Sequence, residues 1–138
     1  VTSFEIARGG RLYAVILGSY QVGGNGDLAN WSTPGMIGGG VGGAMDLTAG
    51  AQHVFVTLEH TDTQGQPKLV ERCDYPLTMP NCVDAIITDL ALLRRPDRSS
   101  RFLLEEVAAG FTVDEVLSLT GMTVDVAGEV GVMQENWV

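Results

Sequence analysis

The chain has 138 residues, with 17 acidic against 8 basic side chains and a formal charge of −9. A hydrophobic share of 45% and a charged share of 18% exclude the composition of a disordered chain, and the length suits one domain. Few and scattered cations argue against a basic groove for nucleic acid, no apolar run reaches the ~18 residues of a membrane helix, and the start lacks a signal-peptide layout, so a soluble chain without nucleic-acid or membrane partners is expected.

In chain order, Ser3 is placed to cap a short helix with Phe4, Ile6 and Ala7 as its apolar positions and Gly9-Gly10 as its stop. Tyr13 to Leu17, YAVIL, reads as a strand covered on both faces, ended by Gly18. From Gln21 to Gly43 turn formers dominate and no period is sustained. This predicts a long ordered loop anchored by Leu28, Trp31, Met36 and Ile37, and loops of that length in compact domains usually carry function. Ala44 to Gly50 predicts a short helix and His53 to Glu59, HVFVTLE, a second strand. Strand, loop, helix, strand implies an α/β fold, an open layered sheet with helices and a parallel pair.

Lys68 to Cys73 and Val83 to Leu93 are further elements, the second (VDAIITDLALL) fitting strand or helix equally. Arg94 to Arg101, RRPDRSSR, holds half of the basic residues and reads as a solvated connection, with a phosphate patch as the alternative. Phe102 to Val107 predicts a strand. Thr112-Val113-Asp114-Glu115 predicts a capping box for a helix whose apolar face is Val116, Leu117 and Leu119, with Gly121 as its stop. Thr123 to Val126 predicts a last short strand, and Trp137 in the tail an anchor.

Cys73 and Cys82 match neither a zinc signature nor a disulfide framework, so free thiols and no metal site are expected, with Cys73 as buried filler. His60, at a strand end, fits a structural hydrogen bond better than an acid/base role. Asp46 fits the N-terminal dipole of the short helix, and Lys68 a solvated charge rather than a phosphate contact.

The glycines number eighteen, about twice the usual ~7% share, and many fall between Gly9 and Gly50. Gly38, Gly40 and Gly43 spell GxGxxG, with Glu59 21 residues after Gly38. Dinucleotide binding needs that motif straight after a strand, whereas Trp31 to Ile37 contains Pro34 and makes a poor one. Two readings remain: glycines that permit a tight loop, or Gly42-Gly43-Ala44 bringing unhindered N–H groups to a helix start, an arrangement suited to an oxyanion.

SFEIARGG at Ser3 to Gly10, LGSYQVGGNGDLANW at Leu17 to Trp31 and GGGVGGAMDLTAGA at Gly38 to Ala51 resemble the β subunit of family I 3-oxoacid CoA-transferases. VTLEHT at Val56 to Thr61, KLVERCDYPLT at Lys68 to Thr78, CVDAIITDLAL at Cys82 to Leu92 and GFTVDEVLSLTG at Gly110 to Gly121 continue the likeness, as does Met133-Gln134 in the tail. The group includes succinyl-CoA:3-ketoacid and 3-oxoadipate CoA-transferases. The resemblance implies ping-pong transfer of coenzyme A between carboxylic acids through a glutamyl thioester, with the CoA thioester as substrate and no permanently bound cofactor.

By that resemblance, the backbone of Gly43 and Ala44 forms part of an oxyanion hole. Gln21, Asn25, Asn30, Gly40 and Gly42 lie along the acyl-CoA cleft. The family's nucleophilic glutamate belongs to a Ser-Glu-Asn-Gly segment upstream of the position matching Ser3. It has no counterpart here, since Glu135-Asn136 lies in the tail without the glycine. Residues 1–138 are therefore expected to be a single domain, the C-terminal portion of a β subunit. The partners expected are an α subunit or domain and the missing N-terminal segment, in a bacterial cytoplasm or a mitochondrial matrix. Tyr13 and Met79-Pro80-Asn81 depart from the family's pattern. An acyl-CoA hydrolase or decarboxylase of the same fold, or a non-catalytic interaction fragment, are the alternatives.

Overall fold

The computed structural model describes residues 3–8, 11–29, 52–74 and 77–133, with the backbone alone described for 3–8 and 11–13. Ten strands and one helix follow one another among these residues: β1 Ser3–Arg8, β2 Arg11–Gly18, β3 Gln21–Gly23, β4 Leu28–Ala29, β5 His53–Thr57, β6 Leu69–Val70, β7 Ala85–Ile87, β8 Ala91–Arg94, β9 Leu103–Val107, α1 Val113–Ser118 and β10 Asp125–Val132. Seven strands form one mixed sheet in the order β1-β2-β5-β7-β8-β9-β10, and a small sheet has the order β4-β3-β6. This is the expected α/β class.

The parallel pair anticipated from the two apolar runs is β2 with β5, registered from Ala14 opposite His53 to Gly18 opposite Thr57. β7 adds to β5 in parallel. In β5, Val54 and Val56 are fully buried while His53 and Phe55 are half-buried and Thr57 is exposed, the period-2 alternation of a strand with one well-covered face. That face packs with Val22, Leu28 and Leu69 of the small sheet and with Val116 of α1, closing one core around Phe102, Ile86, Leu93 and Leu104. Among the described residues the small sheet and the helix thus form a second layer on the large sheet.

Ser3–Arg8 is a strand and not the expected helix. Phe4 and Ile6 alternate with Glu5 and Ala7 as well as they fit a helical turn, and β1 pairs antiparallel with β2 down to Arg8 opposite Arg11. The expected stop at Gly9-Gly10 lies outside the described residues. The ambiguous run Val83 to Leu93 is also a hairpin, Ala85 pairing with Arg94 and Ile87 with Leu92. Thr88 breaks it into two strands: its Oγ1 accepts from the N–H groups of Leu90 and Ala91, both at 3.0 Å.

The capping box holds, with Glu115 N–H donating to Thr112 Oγ1 at 3.1 Å and Thr112 N–H to Glu115 Oε1 at 2.9 Å. Gly121 is not the helix stop, because α1 ends at Ser118 and Leu119 forms its cap. Gly121 instead lies against β6, where its N–H donates to Leu69 O at 2.8 Å and a Cβ would also stand 2.8 Å from that oxygen. The last strand is longer than expected, Asp125–Val132 in place of Thr123 to Val126. The expected helix at Ala44 to Gly50, the loop beyond Ala29 and Trp137 lie outside the described residues.

Candidate functional site

The directions of the strands define two ends of the large sheet. β2, β5, β7, β9 and β10 run one way and β1 and β8 the other. The carboxyl ends of β2, β5 and β7 therefore fall together at Gly18, Thr57 and Ile87, and open α/β sheets take ligands beyond such ends. Ser19 N–H donates to Thr57 O and Leu58 N–H to Ile87 O across this end.

Gln21 stands two residues beyond Ser19, at the start of β3, and is 6% exposed. Its amide is clamped on Asp74, with Oε1 accepting from the Asp74 N–H at 2.6 Å and Nε2 donating to Asp74 Oδ2 at 3.4 Å. Ser19 Oγ donates to Gln21 O at 2.8 Å. His60, fully buried at the same end, has Nδ1 2.8 Å from Thr88 Oγ1 and Nε2 2.8 Å from Thr120 Oγ1. Thr120 donates its own proton to Val116 O at 2.8 Å, so its oxygen accepts from Nε2–H, and Nδ1 is the acceptor of a neutral ring. Burial lowers the His60 pKa, opposed by the charge of Asp89. A ring buried and bonded at both nitrogens ties β5, the β7–β8 turn and the end of α1 together, which is the structural role expected.

Asn25 lies at the opposite end of β3, in a tight turn written Gly-Gly-Asn-Gly-Asp. Gly23 N–H donates to Asp27 O and Gly26 N–H to Gly23 O, and Gly26 adopts φ +84°, the left-handed region. The Asn25 side chain closes the turn on Asp27, with Nδ2 donating to Oδ2 at 3.0 Å. Asp27 Oδ1 in turn accepts from Asn81 N–H at 2.8 Å, and Gly26 O accepts from the N–H groups of Cys82 and Val83. Asn25 is thus set by the amino end of β7, and Gln21 by the carboxyl end of β2. The 73–74 segment touches both, Asp74 holding Gln21 and Cys73 Sγ lying 3.7 Å from Asp27 O beside the Asn25 turn.

Arg95 completes the turn from below. It is 5% exposed, donates from Nε to Val83 O at 2.7 Å and from Nη2 to Asn81 Oδ1 at 2.9 Å, and stacks over Phe102 at 5.0 Å. Its Nη1 reaches Asn25 O and Arg98 O at 3.5 and 3.3 Å. Burial lowers its pKa, countered by Asp84. The other three arginines behave as the solvated connection predicts. Arg98 forks onto Asp84 at 3.0 and 3.1 Å, a hydrogen bond that raises its pKa, and Arg94 and Arg101 pair with Glu105 and Asp125 at 3.3 and 3.7 Å. A cleft of about 520 Å³ opens between this connection and the turn, lined by Asn25, Asn81, Arg95, Arg98 and Arg101 among others. Of the guanidinium groups lining it, Arg95 is committed to carbonyl oxygens and Arg98 to Asp84.

Both cysteines are free thiols, but only Cys82 is core filler, Cys73 being half-buried. Burial, with Asp27 and Asp74 adding to it, pushes Cys73 up to about 12, and burial pushes Cys82 to about 12 as well, so neither is a nucleophile at neutral pH. Among the described residues no group of three His, Cys, Asp or Glu side chains is arranged to hold a metal, and no helix is long and apolar enough to cross a membrane. Asn30, Gly40, Gly42, Gly43 and Ala44, with Asp46, lie outside the described residues. Sequence reasoning placed Arg95 in a solvated connection, whereas it is buried, and took Asn81 only as part of a departure from the family's pattern. Asn81 carries a faint signal, since it follows Pro80 and asparagine tolerates the φ of +46° found there.

Comparison with known proteins bears on the whole segment. The family model described as Coenzyme A transferase matches residues 1–119. The chain is 49% identical over 118 residues to the β subunit of a probable coenzyme A transferase from Bacillus subtilis, covering 86% of this chain and 54% of that protein. It is 43% identical over 134 residues to the mitochondrial succinyl-CoA:3-ketoacid coenzyme A transferase 2A of Rattus norvegicus, covering 96% of this chain and 26% of that one. To a subunit of the 3-oxoadipate CoA-transferase of Acinetobacter baylyi the identity is 44% over 123 residues, 88% of this chain and 55% of the other. The chain thus spans about half the length of the subunits it matches. In fold it is similar to the acyl-CoA transferase YdiF of Escherichia coli O157:H7, with a TM-score of 0.73 at 19% identity over 90% of this chain and 28% of that one. It is also similar in fold to the decarboxylase AibA/AibB, with a TM-score of 0.70 at 18% identity over 88% of this chain and 51% of that one. With most of its length matched by one family model and close relatives of the same kind, the chain belongs to the coenzyme A transferase family.

Proposed function

We propose that this chain is the C-terminal portion of the β component of a 3-oxoacid CoA-transferase, one that passes coenzyme A between an acyl-CoA such as succinyl-CoA and a 3-oxo acid. What carries the reading is the identity of 49% to a CoA-transferase β subunit and 43% to a succinyl-CoA:3-ketoacid enzyme, each over more than four-fifths of the chain. A glutamate carboxylate from outside residues 1–138, in the complete subunit or an α partner, attacks the thioester carbonyl and expels CoA thiolate, leaving a mixed anhydride. The thiolate then attacks the glutamyl carbonyl, releasing the first acid and leaving a glutamyl thioester. The acceptor acid reverses the sequence.

Every step passes through a tetrahedral oxyanion, which backbone N–H groups stabilise where no side chain obstructs them. Gly43 and Ala44 supply those groups, with Gly40, Gly42, Asn30, Gln21 and Asn25 along the substrate cleft. The clamp of Asp74 on Gln21 supports this for Gln21, since it holds a buried amide rigid beside the carboxyl end of β2. The CoA thioester is the substrate, no permanently bound cofactor takes part, and the setting is the bacterial cytoplasm or the mitochondrial matrix.

The test uses the complete subunit assembled with its α partner. Acyl-CoA followed by borohydride is expected to reduce a glutamyl thioester outside residues 1–138, and initial rates with two acids are expected to give parallel lines. A label within residues 1–138, or product formed without an acceptor acid as in hydrolysis or decarboxylation, overturns the reading.

A further inference from the structure

We infer that the face of the large sheet turned away from the small sheet is a docking face for the portion of the same subunit that precedes residue 1, laid over the parallel strands as a third layer. The inference rests on the proposed reading of residues 1–138 as the C-terminal portion of a β subunit. Strand pairing sets Ile16 beside Phe55, Thr57 beside Ile87, Ile87 beside Leu92 and Arg94 beside Leu103. Ile16, Phe55, Ile87, Leu92 and Leu103 therefore point to one side, an apolar strip across β2, β5, β7, β8 and β9. All five are half-buried, whereas Val15, Val54, Ile86, Leu93 and Leu104, which alternate with them, are at most 1% exposed. The small sheet and α1 pack on the side of Val15 and Val54, and none of the five strip residues joins that core or packs against it.

Parallel strands that carry apolar residues at consecutive positions belong to sheets covered on both faces. β2, β5 and β7 run parallel, and Ala14 to Leu17 in β2 and Ala85 to Ile87 in β7 offer water no polar face. On the strip side a cleft of about 560 Å³ opens where the His53 and Phe55 rings stack at 6.1 Å, with Leu103 in its wall and the Arg94–Glu105 pair at its margin. An apolar centre with an ion pair at the rim is the anatomy of a protein interface. The occupant follows from length. The subunits matched at 49% and 44% identity are covered over 54% and 55% of their own length, so close to half of each lies outside the match. By the family resemblance, that half holds the glutamate segment upstream of Ser3. A portion tethered on the same chain reaches this face without the loss of translational freedom that a separate subunit or a second copy incurs.

The experiment uses the complete β subunit, by itself and assembled with its α partner. The photo-crosslinking residue p-benzoylphenylalanine replaces Phe55 in one variant and Leu92 in another, and peptide mapping after irradiation identifies what lies against each position. Expected are adducts within one chain to peptides that precede residue 1, in the subunit by itself and in the assembly alike. Adducts to the α partner, to a second copy or to residues 30–51, or no protein adduct in a folded variant, overturn the assignment. Leu92→Cys gives a second measurement that needs no bulky residue: maleimide labelling at position 92 of the native subunit is expected to be at least about 10²-fold slower than in urea, and a smaller protection overturns the assignment. CoA transfer by the wild-type assembly is read separately. An assembly that moves no CoA overturns the proposed function, while upstream adducts still establish what covers this face.

Discussion

The Arg95 guanidinium occupies the space where a side chain on residue 26 would stand, with Nη2 2.1 Å from the position of a Cβ on Gly26. Gly26→Ala therefore meets two obstacles, a φ of +84° and a buried cation that cannot retreat without leaving its acceptors. The variant is expected to lose about 2 kcal/mol or more, read as a lower urea midpoint at unchanged slope. A midpoint equal to wild type refutes the packing described for this turn.

The neutral state of His60 gives stability a pH dependence of definite sign. The unfolded chain takes up a proton near the ordinary histidine value of ~6.5, whereas burial holds the folded ring below it, so between the two values the unfolded state binds more protons. Stability from this group is complete above about pH 6.5 and falls as the pH drops through that value toward the folded one. Urea midpoints of wild type are expected to decline between about pH 7.5 and 5.5 more steeply than those of His60→Gln. Parallel profiles count against the buried neutral ring.

Thr112→Ala removes one half of the capping box of a six-residue helix, and about 1 kcal/mol of stability is expected to go with it. Glu115→Gln, which keeps an acceptor for the Thr112 N–H, is expected to lose less. The comparison is made by thermal unfolding, and equal losses would mean that charge near the helix start matters more than the reciprocal bond.

The two thiols are expected to be inert in the folded protein. With both pushed up to about 12, only about one thiol in 10⁴ is ionised at pH 8. Reaction with a disulfide reagent at that pH should be slow in buffer and fast in urea, and rapid labelling of Cys82 in buffer would contradict its burial.

What the sequence made legible was whatever is decided locally. YAVIL and HVFVTLE are apolar and β-branched enough to mark β2 and β5 without reference to anything else, and the Thr112 to Glu115 box is complete within four residues. Ser3–Arg8 escaped because six residues with Phe4 and Ile6 satisfy either period, and pairing with β2 decides between them. Arg95 escaped for a stronger reason. Within RRPDRSSR nothing distinguishes it from Arg94 or Arg98, and the space that buries it is made by Gly26, far back in the chain. At the candidate site, the sequence singled out Gln21 and Asn25, but the hydrogen bonds that fix them to Asp74 and Asp27 required the fold.

The far edge of the large sheet has a consequence for how the molecule meets its own copies. β10 follows β9 at Asp125 and Val126, then departs, so that Val126 opposite Leu104 is succeeded by Gly131 opposite Glu106. A stretch of four residues on one strand thus faces a single residue on the other, and the outer rim carries Asp125 and Glu129 beside exposed Val126 and Val132. A straight strand with that much bare valine would be a template for a neighbouring chain, whereas one that buckles and bears carboxylates offers no continuous row of N–H and C=O groups to copy. Among the described residues β10 is the last strand of this sheet, and its irregularity with Asp125 and Glu129 makes it a poorer template for another chain than a straight apolar strand would be.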